Sequence, residues 1–117
     1  MAIERLKRIN EMIRREIAAG LLRVGQGEDA ATEKISIVAA EVSSDLRGCS
    51  VMVSIMAEEP EAEELMRWLR RHRVGFQDLI AKNIALKYTP KLFFKQTTAI
   101  EKGDRVLDIL GKLDDAV

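Results

Sequence analysis

The interval between apolar residues changes along the chain, and this change restricts the fold more than any other feature of the sequence. In residues 3–22 apolar side chains recur every three or four positions, the spacing of one helical face, at Leu6, Ile9, Ile13, Ile17 and Leu21. From residue 35 the interval becomes two, which is typical of strands with one buried face. The first run contains Ile35, Ile37 and Ala39 and continues to Val42; the second run contains Val51, Val53 and Ile55. The first half therefore predicts a helix that packs on an antiparallel hairpin formed by these strand residues.

The second half of the chain predicts two helices, a strand and a last helix. Pro60 and its acidic neighbours suit a helix N-terminus, and the apolar stripe that follows is Ala62, Leu65, Met66 and Leu69. Gly75 interrupts this pattern, which predicts a kink at Val74-Gly75 and a second helix that Pro90 ends. Alternation over residues 91–95 predicts a strand in which Leu92 and Phe94 face one way, and a last helix is expected at about residues 104–113. The predicted order is α-β-β-α-kink-α-β-α, an α+β domain with helices packed on one face of a three-stranded sheet.

Length and composition predict one folded domain over residues 1–117, with a flexible loop at about residues 23–33 and a short tail after the last helix. The chain is 47% hydrophobic, more apolar than a disordered chain. No run approaches the ~18 consecutive apolar residues of a membrane span, and charges interrupt the N-terminus where a signal peptide would be apolar. The lone Cys49 cannot form an internal disulfide or a structural zinc site. We therefore expect a cytoplasmic monomer that uses no metal or cofactor and contacts no membrane.

Residue patterns typical of enzymes are missing from the sequence. His72, the one histidine, lies between two arginines, which disfavour its protonation, and no nucleophile motif accompanies it. Cys49 shares the parity of Val51 and is expected in the core, whereas Asp45 is expected to cap amides of the hairpin loop. Trp68 is offset from the apolar stripe, so the sequence leaves open whether it lies at the core edge or on an interaction surface. We expect no catalytic residues.

Positive charge is concentrated in one part of a chain whose 19 basic and 19 acidic residues balance. Between Arg67 and Lys95 the only acidic residue is Asp78, and such segregation gives a neutral protein a basic face. A glycine at a helix break also leaves helix N-terminal N–H groups free to meet a phosphate. The candidate RNA-binding residues are Arg70, Arg71, Arg73, Gly75, Lys82 and Lys87, and the side chains of Arg71 and Arg73 are expected in solvent. Secondary candidates are Arg5, Arg8 and Arg15. The alternative interpretation is an ordinary solvated helix surface.

Several segments resemble ribosome-binding factor A, a family of small-subunit assembly factors, from about Arg5 to Leu113. The hairpin carries the most specific of them, Glu41-Val42-Ser43-Ser44-Asp45-Leu46 followed by Val51-x-Val53-Ser54. Two further segments resemble the family, Leu86-Lys87-Tyr88-Thr89-Pro90-Lys91-Leu92-x-Phe94 and Glu101-x-Gly103-x-Arg105-Val106. The Ala-x-Gly kink of the family reads Arg73-Val74-Gly75 in this chain.

The resemblance implies a type II KH-like domain and a non-enzymatic factor. Such a factor binds the free 30S small subunit, contacts its 16S ribosomal RNA, assists maturation of that RNA and supports growth in the cold. Two alternatives remain open from the sequence: a KH-like domain that binds another RNA, and a protein–protein interaction module that uses its acidic helix faces.

Overall fold

The computed structural model describes residues 2–26, 28 and 30–97, and in this part of the chain it confirms the predicted order of elements. These described residues form three helices and three strands joined by short connections, with one short 3-10 helix before the first strand. Their bounds are α1 Ala2–Val24, the 3-10 helix Thr32–Lys34, β1 Ile35–Val42, β2 Gly48–Ile55, α2 Glu61–Arg71, α3 Arg73–Asn83 and β3 Lys91–Gln96. The helix expected at about residues 104–113 lies outside the described residues.

The sheet has the order β1-β2-β3, with β2 antiparallel to β1 and parallel to β3. A parallel pair needs a long crossover connection, and α2 and α3 supply it. β3 is thus an edge strand whose outer side faces the crossover helices, and Leu92 and Phe94 are buried as predicted, at 0% and 3% exposure.

Helix α1 presents the predicted stripe to the sheet and to α3. Ile9, Ile13, Ile17 and Leu21 are buried, and Leu6 is partly buried against the same core. Glu11 of this helix accepts hydrogen bonds from Arg14 and from Arg15, the latter at 3.1 Å. Glu11 and Arg15 are four residues apart, a spacing at which side chains of a helix meet. The first helix is therefore held by one apolar face, with its charges on the other.

The alternation predicted for β1 is wrong at Ala39. Ile37 lies opposite Val53 while Ala39 lies opposite Met52, so Val38 is an extra residue in the ladder. One inserted residue reverses which side chains face the core from that point on. Ala40 and Val42 are accordingly buried, whereas Ala39 is only half-buried.

The break between α2 and α3 lies at His72, not at Val74-Gly75 as the sequence predicts. His72 has φ −96° and ψ 15°; its N–H donates to the Trp68 carbonyl at 3.1 Å, and its carbonyl accepts from Phe76 N–H at 3.1 Å. Gly75 lies inside the first turn of α3, where an added Cβ would make an ordinary 3.7 Å contact with Val24. Space does not require glycine at this position.

Helix α3 ends at Asn83, not at Pro90 as predicted. Ile84 follows in an extended conformation, with φ −126° and ψ 125°, and its side chain is buried. Turning the backbone at Ile84 keeps this apolar side chain in the core. Residues 85–90 then connect α3 to β3 without helical structure.

Cys49 points into the core as predicted, with 1% exposure, and burial raises the pKa of its thiol to about 12. A neutral, enclosed thiol is a poor nucleophile because the thiolate is the reactive form. We expect a disulfide-exchange reagent at mildly alkaline pH to leave Cys49 unmodified in the native protein and to modify it fully in denaturant. Rapid modification of the native protein would contradict this burial.

Candidate nucleic-acid interface

Two of the predicted RNA-binding residues, Arg70 and Arg71, lie together near the C-terminus of α2. With Arg67 and Glu64 they line a shallow cavity of about 480 Å³. Arg67 also pairs with Glu63 at 3.2 Å, one helical turn earlier. Cations in the last turn oppose the negative end of the helix dipole, so they stabilise α2 as well as making its end basic.

The Arg70 side chain contacts the backbone at the edge of β3. Its Nη2 lies 3.5 Å from the Phe94 carbonyl oxygen, and the Gln77 side-chain oxygen accepts from the Leu92 N–H at 3.0 Å. Edge strands expose unpaired N–H and C=O groups, and side chains that cover them block pairing with another chain. Arg70 therefore has a role in closing the sheet edge, and both Arg70 and Arg71 are exposed to solvent.

The expectation that Arg73 is solvated is wrong. Its side chain is half-buried beside β3, its guanidinium carbon lies 5.7 Å from the centre of the Phe93 ring, and its buried Nε has no hydrogen-bond partner among the described residues. The helix break at His72 directs the start of α3 toward this strand. Arg73 is thus set against an aromatic ring, apart from the exposed Arg71.

The remaining candidates are dispersed. Lys82 is exposed in the last turn of α3, and Lys87 lies in the connection after that helix and not on it, contrary to the prediction. The described contacts do not bring Lys82 to any other candidate. Arg5, Arg8 and Arg15 are exposed on α1, where Arg15 is paired with Glu11.

Two exposed aromatic rings, which the sequence prediction missed, lie beside the cations. Phe93 is 42% exposed and Tyr88 is 44% exposed. Lys91 Nζ and the Arg73 guanidinium each lie 5.7 Å from the centre of the Phe93 ring; Arg47 and Lys87 lie 5.1 and 5.5 Å from that of Tyr88. We call these six residues the cation–aromatic surface: Arg47, Arg73, Lys87, Tyr88, Lys91 and Phe93.

The turn between β1 and β2 connects the two rings. The Lys91 N–H donates to the Arg47 carbonyl at 2.9 Å, and a Cβ built on Gly48 would lie 3.6 Å from Phe93. The Asp45 carboxylate accepts from Ser43 Oγ at 2.5 Å and from the Arg47 N–H at 3.0 Å, and these hydrogen bonds, led by that of Ser43, lower the pKa of Asp45. Asp45 thus caps the turn as predicted and fixes the backbone that carries Arg47.

The sequence contains a signal for this surface. Because Leu92 and Phe94 face the core, alternation directs Lys91, Phe93 and Lys95 to the opposite side of β3. An exposed cation over an aromatic ring contributes only ~0.5–1 kcal/mol, so such contacts exchange readily for a stronger ligand. Arg47 lies too far away in sequence for its position beside Tyr88 to be predicted.

His72 contacts one residue of the connection after α1 and one residue of α2. Its Nε2 lies 2.9 Å from Glu28 Oε2, and its ring lies 4.6 Å, centre to centre, from that of Trp68. Trp68 itself is 4% exposed and also contacts Phe76, so it belongs to the core and not to an exposed interaction surface. Glu28 is a partner that sequence spacing could not reveal, because the two residues come from separate parts of the chain.

Within residues 2–26, 28 and 30–97, no three histidine, cysteine, aspartate or glutamate side chains are grouped in a way that could hold a metal ion. No helix in the same part of the chain combines the length and apolar character needed to cross a membrane.

Comparison with known proteins gives a consistent family match. A family model described as ribosome-binding factor A matches residues 5–110. The chain is 36% identical over 110 residues to ribosome-binding factor A of Opitutus terrae, covering 94% of this chain and 88% of that protein.

Solved structures confirm the predicted KH-like fold. The crystal structure of ribosome-binding factor A from Thermus thermophilus matches with a TM-score of 0.68 and 20% identity, covering 78% of this chain and 94% of that one. Coordinates of the Thermus thermophilus factor fitted into a cryo-EM map of its complex with 30S match with a TM-score of 0.59 and 23% identity. The match covers 76% of this chain and 91% of that one.

Proposed function

This chain belongs to the ribosome-binding factor A family, and we propose that it binds the free 30S small ribosomal subunit and assists maturation of its 16S ribosomal RNA. The family match carries the proposal, because it spans residues 5–110 and so includes nearly every described element. The Thermus thermophilus relative fitted into a map of a 30S complex supports the same partner. The protein would act in the cytoplasm, where small subunits are assembled.

We further propose that the protein works without catalysis. Its one thiol, that of Cys49, is buried with a raised pKa, which leaves little of the reactive thiolate. Remodelling of RNA needs no covalent step, since a protein that binds one RNA conformation more tightly than another shifts the population toward it. The exposed cations on α2 and around the two aromatic rings supply affinity for phosphates.

Deletion of the gene is expected to raise the amount of free small subunits and of unprocessed 16S precursor RNA, more strongly in the cold. RNA rearrangements with high barriers slow as temperature falls, so loss of a factor that favours the mature conformation should be felt most there. Sucrose-gradient profiles and primer extension at the precursor ends, at two growth temperatures, measure this. A plasmid copy of the gene should restore both. Normal profiles in the cold, in cells without a second copy, would contradict the role in assembly.

A further inference from the structure

We infer that the cation–aromatic surface binds unpaired RNA nucleotides, stacking bases on Tyr88 and Phe93 while Arg47, Arg73, Lys87 and Lys91 neutralise the adjoining phosphates. The inference rests on the proposed function, because it specifies single-stranded segments of ribosomal RNA as the ligand of one surface. It differs from the helix-break site that the sequence predicts, since Arg47, Tyr88, Lys91 and Phe93 lie outside that site.

The exposure of the two rings is the first observation. Phe76 and Phe94 are buried at 0% and 3% exposure, so the core already holds the other two phenylalanines. Phe93 and Tyr88 instead leave 42% and 44% of their surface in solvent, and the alternation of β3 places Phe93 opposite the buried Leu92 and Phe94. Aromatic rings presented this way offer flat faces on which unpaired bases stack.

The charge around the rings is the second observation. In the part of the chain that the structure describes, the four cations of this surface form no ion pair, whereas Arg14, Lys34 and Arg67 each pair with a glutamate. The Asp45 carboxylate accepts hydrogen bonds from Ser43 and the Arg47 amide, and its charge also attracts the Arg47 side chain. The surface therefore carries positive charge that a polyanion can neutralise.

The pairing of rings with cations selects the class of ligand. An acidic peptide would satisfy the cations but not the flat rings, and double-stranded RNA hides its base faces inside the helix. Single-stranded RNA offers both groups in alternation along one backbone. Arg47 lies over the Tyr88 ring and the adjoining Gly48 lies against the Phe93 ring, so one short stretch of backbone contacts both ring sites.

A leucine double variant, Tyr88→Leu with Phe93→Leu, tests the inference because it removes both rings and keeps every charge. Its matched control is Leu22→Ala with Met56→Ala, which changes two side chains that are 76% and 70% exposed elsewhere. The probes are purified 30S subunits, a short single-stranded oligouridylate, and the same strand paired with oligoadenylate. Melting curves verify that each variant is folded.

We expect the leucine variant to bind oligouridylate about 25-fold more weakly, since each lost base stack costs roughly fivefold or more. Its salt dependence should remain unchanged because the phosphate contacts remain. The control should bind like wild type, and the paired strand should bind more weakly than the single strand. Tyr88 is the only tyrosine, so 3-fluorotyrosine labelling gives one fluorine NMR signal, which should shift when oligouridylate stacks on the ring.

Separate results overturn the inference and the proposed function. A leucine variant that binds 30S subunits as tightly as wild type overturns base stacking and leaves 30S binding in place. A second combination of results also overturns base stacking: the leucine variant loses 30S binding, while wild type neither binds oligouridylate nor shows a fluorine shift. The rings would then contact ribosomal protein. Wild-type protein that binds oligouridylate with the expected shift but ignores 30S subunits supports stacking and overturns the proposed function.

Discussion

Replacing Ile13 by alanine is expected to lower the free energy of unfolding by about 2–5 kcal/mol. Ile13 is 0% exposed at the centre of the α1 stripe, where α1 packs on β1 and α3. Truncation removes buried methyl and methylene groups and leaves a cavity that a rigid helix–sheet interface cannot close fully. Domains of this size are stable by only ~5–15 kcal/mol, so the loss is large. Urea unfolding followed by circular dichroism measures it.

The matched control for Ile13 is Leu22→Ala on the same helix. Leu22 is an aliphatic side chain of similar volume, but it is 76% exposed, so its removal should change the free energy of unfolding by no more than about 0.5 kcal/mol. Equal losses for the two variants would show that burial of the stripe does not hold α1 on the sheet. That result would contradict the packing of the first helix.

Reversing Arg71 and Lys87 to glutamate is expected to remove two phosphate contacts and so to weaken 30S binding about 25-fold near 0.1 M salt. Each phosphate contact with a single strand contributes ~0.7 to the slope of log affinity against log salt concentration. The slope itself should fall by about 1.4 for two contacts. Both side chains are exposed, so stability should change little. Arg73 is unsuitable for reversal, since its half-buried side chain would place a carboxylate beside Phe93. Binding titrations over a range of salt concentrations measure both quantities.

The control for charge is the double variant Arg5→Glu with Arg8→Glu on α1, which makes the same change in net charge on another exposed surface. It should bind 30S subunits nearly as tightly as wild type. If the α1 variant loses affinity and the Arg71/Lys87 variant does not, the RNA-facing side of the protein is α1. Equal small losses in both would mean that net charge alone matters.

The fold was predictable because local sequence patterns correspond to single elements. The α1 stripe, the two hairpin strands, the Leu92–Phe94 alternation and the acidic start of α2 each depend on residues close together in the chain. The exceptions arise where tertiary packing competes with local signals. The bulge at Val38 reverses which side chains of β1 face the core, and no glycine in this strand indicates it in the sequence. The buried Ile84 ends α3 well before Pro90.

The candidate site was less predictable, because it depends on contacts between distant residues. The sequence identifies a basic region, but not that Arg70 reaches the Phe94 carbonyl or that Arg73 lies against Phe93. Helix propensity predicts the break at Val74-Gly75, whereas in the structure it lies at His72, which contacts Glu28 and Trp68. Exposure of Phe93 follows from alternation, while the approach of Arg47 to Tyr88 requires the folded hairpin.

Sedimentation of the native protein in cell extract tests the proposed 30S binding most directly. Extract is fractionated on a sucrose gradient at low and at moderate salt, and every fraction is probed for the protein. We expect the protein to migrate with free 30S subunits at low salt, to be depleted from 70S particles, and to move toward the top of the gradient as salt rises, because phosphate contacts are screened. Protein that stays at the top of the gradient at low salt, or that follows 70S particles as strongly as 30S subunits, would contradict a role on the free small subunit.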